Sequence, residues 1–135
     1  MKEEIKQQWI AALRSGQYVQ GRGVLHEVPA EGPPKFCVLG VLCDLVREEL
    51  EITWTPFRPG SIIMALGDIN AIHLICEKAE ILNRAIPREI VDQVLSRSFS
   101  TVYLGKYFSL TTLNDHGCNF DQLARMIELT PSEQL

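Results

Sequence analysis

The residues of this chain best equipped for chemistry are Cys37, His26, His116 and the polar side chains Asn114, Asp115 and Asn119. Cys37 follows a Pro-rich stretch and opens an apolar run, where the dipole of a helix would favour the thiolate. A thiol nucleophile needs a base within hydrogen-bond reach, and His116 or His26 could supply it. Asn114, Asp115 or Asn119 could orient that base, the arrangement of a Cys-His-Asn hydrolase. The plainer reading is that Cys37 and Cys43 are small core residues, since free cysteine is among the most buried residue types. No oxyanion-hole signature accompanies them.

Metal binding is a second chemistry to weigh. His73-x-x-Cys76 places two ligand types one helical turn apart, and His116-x-Cys118 offers two more, a set suited to tetrahedral zinc. Neither half has the Cys-x-x-Cys form, so the expectation is no metal, a core Cys76 and exposed histidines.

The third possibility is binding without catalysis. Ser15, Tyr18, Gln20 and Arg22 alternate with glycines in one polar segment, and Asn114 and Asp115 lie in a segment that reads as a turn. Short polar side chains, open backbone at glycine and one Arg suit a small anionic or hydrogen-bonding ligand. Taken singly each has a structural reading: Gly16 stops a helix, Tyr18 packs, Asn114–Gly117 turns the chain. The loop carrying Trp54, Pro56, Phe57 and Pro59 could dock a partner or fold back over the core.

These side chains must be positioned by a small set of elements. Ile5, Trp9, Ala12 and Leu13 share one stripe of a helix over Glu3 to Ser15, which ends at Gly16. Gln17 to Leu25 reads as a polar strand, His26 to Lys35 as a loop, and Cys37 to about Glu51 as a buried central helix. Thr53 to Gly60 reads as a further loop. Ser61 to Leu66 is ambiguous between strand and helical turn. Asp68 would cap a helix reaching Asn83, and Pro87 would sit in the first turn of another, to about Arg97. Thr101 to Leu110, interrupted by Gly105-Lys106, carries a type II′ hairpin signal. Asn119 and Gln122 form a capping-box pair before a last helix with Phe120, Leu123, Ala124 and Ile127 on one face.

The expected fold is therefore α+β: a single compact domain over 1–130, four to five helices around the central helix, with a small antiparallel sheet and a frayed tail at 131–135. Its 135 residues suffice for a core without disulfide or metal staples. Hydrophobic residues at 46% and charged residues at 22% argue against disorder. A formal charge of −4 with scattered basic residues disfavours general nucleic-acid binding, which uses a basic stripe. The start Met1-Lys2-Glu3-Glu4 lacks an apolar leader, and no run is long enough to span a membrane, so a cytoplasmic setting with reduced thiols is expected.

Three blocks resemble a family of small, functionally uncharacterised proteins of bacteriophages, prophages and bacteria. They are Trp9 to Gly21 running on to Gly23 and Leu25, Phe36 to Leu45, and Leu113-Asn114-Asp115-His116-Gly117 followed by Phe120 and Met126-Ile127-Glu128. Ile86-Pro87 fits the same pattern. Family members commonly carry two adjacent cysteines where this chain has Val38 beside Cys37. The resemblance implies a mobile-element setting and brings no activity. The leading expectation is a non-catalytic module that binds a small molecule or a host protein, with no cofactor and no membrane partner. A cysteine hydrolase using Cys37 and His116, and a structural subunit or homo-oligomer, are the alternatives.

Overall fold

Helix α1 (Glu3–Arg14) forms where its apolar spacing predicts, burying Ile5, Trp9, Ile10 and Leu13. In the computed structural model, which describes residues 1–67, 70–81, 85–95 and 106–135, that stripe packs chiefly on the C-terminal helix. That helix (Phe120–Leu129, α6 below) opens with the expected capping box: Asn119 accepts from Gln122 N–H and Gln122 accepts from Asn119 N–H. Buried Lys6 donates to the Thr130 carbonyl at 2.8 Å, placing a cation where carbonyls accumulate at the end of α6.

Helix α2 (Val38–Val46) is the interior element, with Val38 through Cys43 all buried. Trp9 Nε1 donates to the Val38 carbonyl at 3.0 Å, tying α1 to its first residue. It is shorter than the expected span to Glu51. Leu50 and Ile52 N–H both donate to the Arg47 carbonyl, and Glu51 turns into the left-handed region at φ 55°. Three consecutive polar residues, Arg47 to Glu49, leave nothing to bury there.

A five-stranded sheet lies against α2, in the order β1-β3-β2-β5-β4. Its strands are β1 (Val19–Gln20), β2 (His26–Glu27), β3 (Lys35–Phe36), β4 (Trp54–Pro56) and β5 (Ile63–Leu66). Pairing is antiparallel except between β1 and β3. The expected sheet is thus corrected: Gln17–Leu25 yields only the two residues of β1, while β2, β3 and β4 arise in or beside segments that read as loops. Pro56 is tolerated because β4 is an edge strand. Of the ambiguous Ser61–Leu66, only Ile63–Leu66 forms strand.

Cross-strand partners share a face, so the registers His26↔Phe36, His26↔Met64 and Trp54↔Leu66 place these side chains together, toward the core. Glu27, Lys35, Ile63, Thr55 and Ala65 fall on the opposite face. Gly40 lets α2 approach this sheet: a Cβ there would stand 1.8 Å from the Leu25 carbonyl oxygen.

A two-stranded sheet pairs β6 (Ala85–Pro87) with β7 (Tyr107–Ser109). The first strand of the expected hairpin and its Gly105 lie outside the described residues, as do Asp68 and Asn83. Pro87 precedes α4 (Arg88–Val94) as its N-cap instead of entering its first turn. Helix α3 (Ala71–Ala79) begins after Asn70.

Asn114 and Asp115 belong to a helix, α5 (Leu110–Asp115), and not to a turn. Ser109 caps it by accepting from Thr112 N–H at 3.1 Å, and Gly117 completes its exit at φ 105°. This brings the α-helices of the described residues to six. The tail does not fray: Ser132–Gln134 forms a 3₁₀ turn, the Met1 amine donates to the Ser132 carbonyl, and Leu135 is only 1% exposed. The chain is one compact α+β domain.

Candidate functional site

Asn114 is 0% exposed and uses its whole amide internally. Its Oδ1 accepts from Gln20 Nε2 at 2.9 Å and Val38 N–H at 3.3 Å; its Nδ2 donates to the Gly21 carbonyl and to Asp115 Oδ1. Gln20 Nε2 also donates to the Cys118 carbonyl at 2.8 Å, and Asp115 Oδ1 accepts from Gly23 N–H at 2.9 Å. Gln20, Asn114 and Asp115 therefore converge as expected from sequence, but on one another. A buried amide with satisfied donors and acceptors is a staple between β1, the start of α2 and α5.

The other members of the expected polar patch go elsewhere. Ser15 Oγ donates to the Ala12 carbonyl and accepts from Gln17 N–H, a helix-end duty. Arg22 is exposed beside Gly117. Tyr18 turns toward α2, where its hydroxyl donates to Asp44 Oδ2 at 2.9 Å.

Asp44 gathers a second cluster that the residue types alone do not announce. Its Oδ1 accepts from Arg47 Nε and from Trp54 Nε1, both at 2.8 Å. These donors outweigh its burial and hold the carboxyl below its ordinary range. Burial and the Asp44 carboxylate push the Tyr18 phenol up to about 12. Around them the Tyr18, His26, Phe36 and Trp54 rings pack: His26 stacks on Phe36 at 4.2 Å and meets Trp54 edge-on at 4.8 Å. Trp54 thus folds back over the core. The one sequence signal for this cluster is Asp44 itself, a charge inside an apolar run.

Cys37 is 4% exposed and caps α2, its Sγ accepting from Gly40 N–H at 3.4 Å. Burial pushes its thiol up, away from the nucleophilic form. It borders a small cleft of about 150 Å³ with Thr111 and Asp115, where the carboxylate further disfavours a thiolate. His116 is exposed at the end of α5, its Nδ1 against the Thr112 carbonyl at 2.8 Å, and Asn119 is the α6 cap. The three residues of the hydrolase alternative thus each stand at a helix end. His73 and Cys76 lie on α3, away in sequence and element from His116 and Cys118. Among the described residues no three His, Cys, Asp or Glu side chains converge on a metal position.

An open site is found along β5. A groove of about 570 Å³ runs beside this strand, lined by Val24, Leu25, Phe57, Ile72 and all of β5 from Ile63 to Leu66. Phe57 stands at its rim, 68% exposed, and Val28, Ile62 and Ile63 are exposed beside it. Val28 N–H donates to the Ile62 carbonyl and Phe57 N–H to the Ile63 carbonyl, which fixes these residues at one end of the sheet.

Over residues 1–131 the sequence matches a family defined as a domain of unknown function, DUF8296. The chain belongs to that family. No curated protein and no solved structure matches it. The three blocks that suggested an uncharacterised family all fall within the DUF8296 match, and they contain the Asn114 staple, the Asp44 carboxylate and Gly40. No helix of the described residues is long and apolar enough to cross a membrane.

Proposed function

We propose that this DUF8296 protein is a non-catalytic binding module that works by occupancy, engaging a protein segment through the apolar face of β5. The observation that carries the reading is the groove with Phe57 exposed at its rim, an apolar surface left open on a small domain. Among the described residues its lining offers no charged side chain to orient a small polar molecule or to neutralise phosphate. An open sheet face suits a chain segment that lays apolar side chains along it. The raised, buried Cys37 thiol and the helix-end roles of His116 and Asn119 support occupancy over hydrolysis.

The three-block resemblance supports the finer setting: a phage- or mobile-element-type protein acting on a host protein in the bacterial cytoplasm. The test is cross-linked capture from a bacterial lysate, run side by side for the wild type and Ile63→Lys. Ile63 is exposed, so the substitution leaves the fold intact while placing a charge in the groove. A specific captured protein lost roughly tenfold in the variant supports the reading. Capture indifferent to Ile63→Lys, or a nucleotide that raises the wild-type Tm with no protein captured, overturns it.

A further inference from the structure

The imidazole of His26 is 7% exposed, yet neither Nδ1 nor Nε2 has a hydrogen-bond partner among the described residues. A buried polar ring left in that state is uncommon and calls for an explanation. Its position is equally specific. β2 is the central strand of the sheet and contributes only His26 and Glu27; His26 is registered with Phe36 of β3 on one side and Met64 of β5 on the other. Through β3 the sheet continues directly into α2, and through β5 it carries the groove. His26 therefore sits at the seam between the scaffold and the β4–β5 ribbon.

We propose that His26 is a proton-operated latch: neutral, it closes the seam between Phe36 and Trp54; protonated, it releases the β4–β5 ribbon and reshapes the groove. The inference is independent of what the groove binds. A neutral imidazole fills the slot as an aromatic plate. An imidazolium requires two hydrogen-bond acceptors and solvation that the slot does not supply, and attraction to the Phe36 face returns less than that loss.

Among the described residues the charged groups near it are few. From α2, Asp44 attracts an imidazolium and Arg47 opposes it. Asp44 already accepts from Tyr18, Arg47 and Trp54, so an imidazolium reaching for it would displace the Trp54 indole that ties β4 to α2. From β3, β4 and β5 the neighbours are Phe36, Trp54 and Met64, which carry no charge, and Glu27 and Lys35 point to the opposite face of the sheet. Burial is the largest influence and holds the His26 pKa below its ordinary value. The neutral, closed state is thus complete above the ordinary imidazole range near 6.5, and it is lost as pH falls below that range through the lowered value.

The test is amide exchange by mass spectrometry on the unmodified chain, with rates corrected for the intrinsic effect of pH. Opening of the β5 peptide should rise about tenfold per pH unit below 6.5, the slope for one proton, while the α6 peptide stays constant. His26→Phe keeps the ring stack and should abolish the rise. Equal pH dependence in the wild type and His26→Phe overturns the proposal, as does a β5 peptide whose opening is flat between pH 7 and 5. Should His26→Phe fail to fold, the titration of the His26 ring itself by NMR decides: an ordinary midpoint near 6.5 overturns the latch, and a lower one coincident with β5 opening supports it.

Discussion

The Trp54 indole donates to the Asp44 carboxylate at 2.8 Å, joining the edge strand of the sheet to the buried helix. The same carboxylate receives Tyr18 and Arg47. One acidic side chain thus fixes three segments remote in sequence: the α1–β1 connection, α2 and β4.

Removing that acceptor should therefore be felt at all three places. Asp44→Ala should lower stability by about 2–3 kcal/mol in urea denaturation, the scale of losing charge-assisted hydrogen bonds and leaving their donors unpaired. Asp44→Asn should bring the Tyr18 phenol down from about 12 toward its ordinary value near 10, read by absorbance titration. In the wild type the raised phenol stabilises the fold below pH 10, and that contribution is lost as pH rises through the folded value.

Gly40 is required by a close approach. Gly40→Ala should destabilise by roughly 3 kcal/mol or more, since its Cβ meets the backbone oxygen of Leu25 and either α2 or β2 must move. Gly23→Ala is the control: φ is +73° there with open space around it, so roughly 1 kcal/mol is expected from backbone strain alone. Equal losses in the two would contradict the packing.

Asn114→Ala should cost about 3 kcal/mol, because it strips partners from Gln20, the Val38 N–H and the Gly21 carbonyl within a buried site. Asn114→Asp should be no better, as the Gly21 carbonyl would then face a carboxylate. Thermal denaturation of both variants checks this.

Cys37 should resist iodoacetamide in the folded protein. Cys37, Cys43 and Cys118 are buried and Cys76 is partly exposed, so Cys76 should alkylate first and the others only on unfolding. Mass mapping of the modified peptides gives the order, and rapid labelling of Cys37 would restore the hydrolase reading.

Much of this fold is legible in the sequence where burial is periodic. The stripe through Ile5, Trp9 and Leu13 and the stripe through Phe120, Leu123 and Ile127 give α1 and α6 directly, and Asn119 with Gln122 gives the cap. Strands of two residues carry no period, so β2 and β3 hide inside a segment whose prolines and glycine read as loop. Helix α5 is hidden for another reason: Asn-Asp-His-Gly is turn-like in composition, yet the Ser109 cap and the staple at Asn114 override local preference. The polar patch illustrates the limit for function. Residue types that would hold a ligand also hold a backbone, and only the partners of Gln20 and Asn114 separate the two. The aromatic cluster at Asp44 joins residues from Tyr18 to Trp54, and its one local signal is the charge of Asp44 inside an apolar run.

The central claim is that the open face of β5, and not the chemistry of Cys37, is where this protein acts. The most direct measurement is the affinity of a captured partner for two folded variants, Ile63→Lys and Cys37→Ala. The account predicts roughly tenfold weaker binding for Ile63→Lys and unchanged affinity for Cys37→Ala. Undiminished binding by Ile63→Lys, with loss in Cys37→Ala, would contradict it.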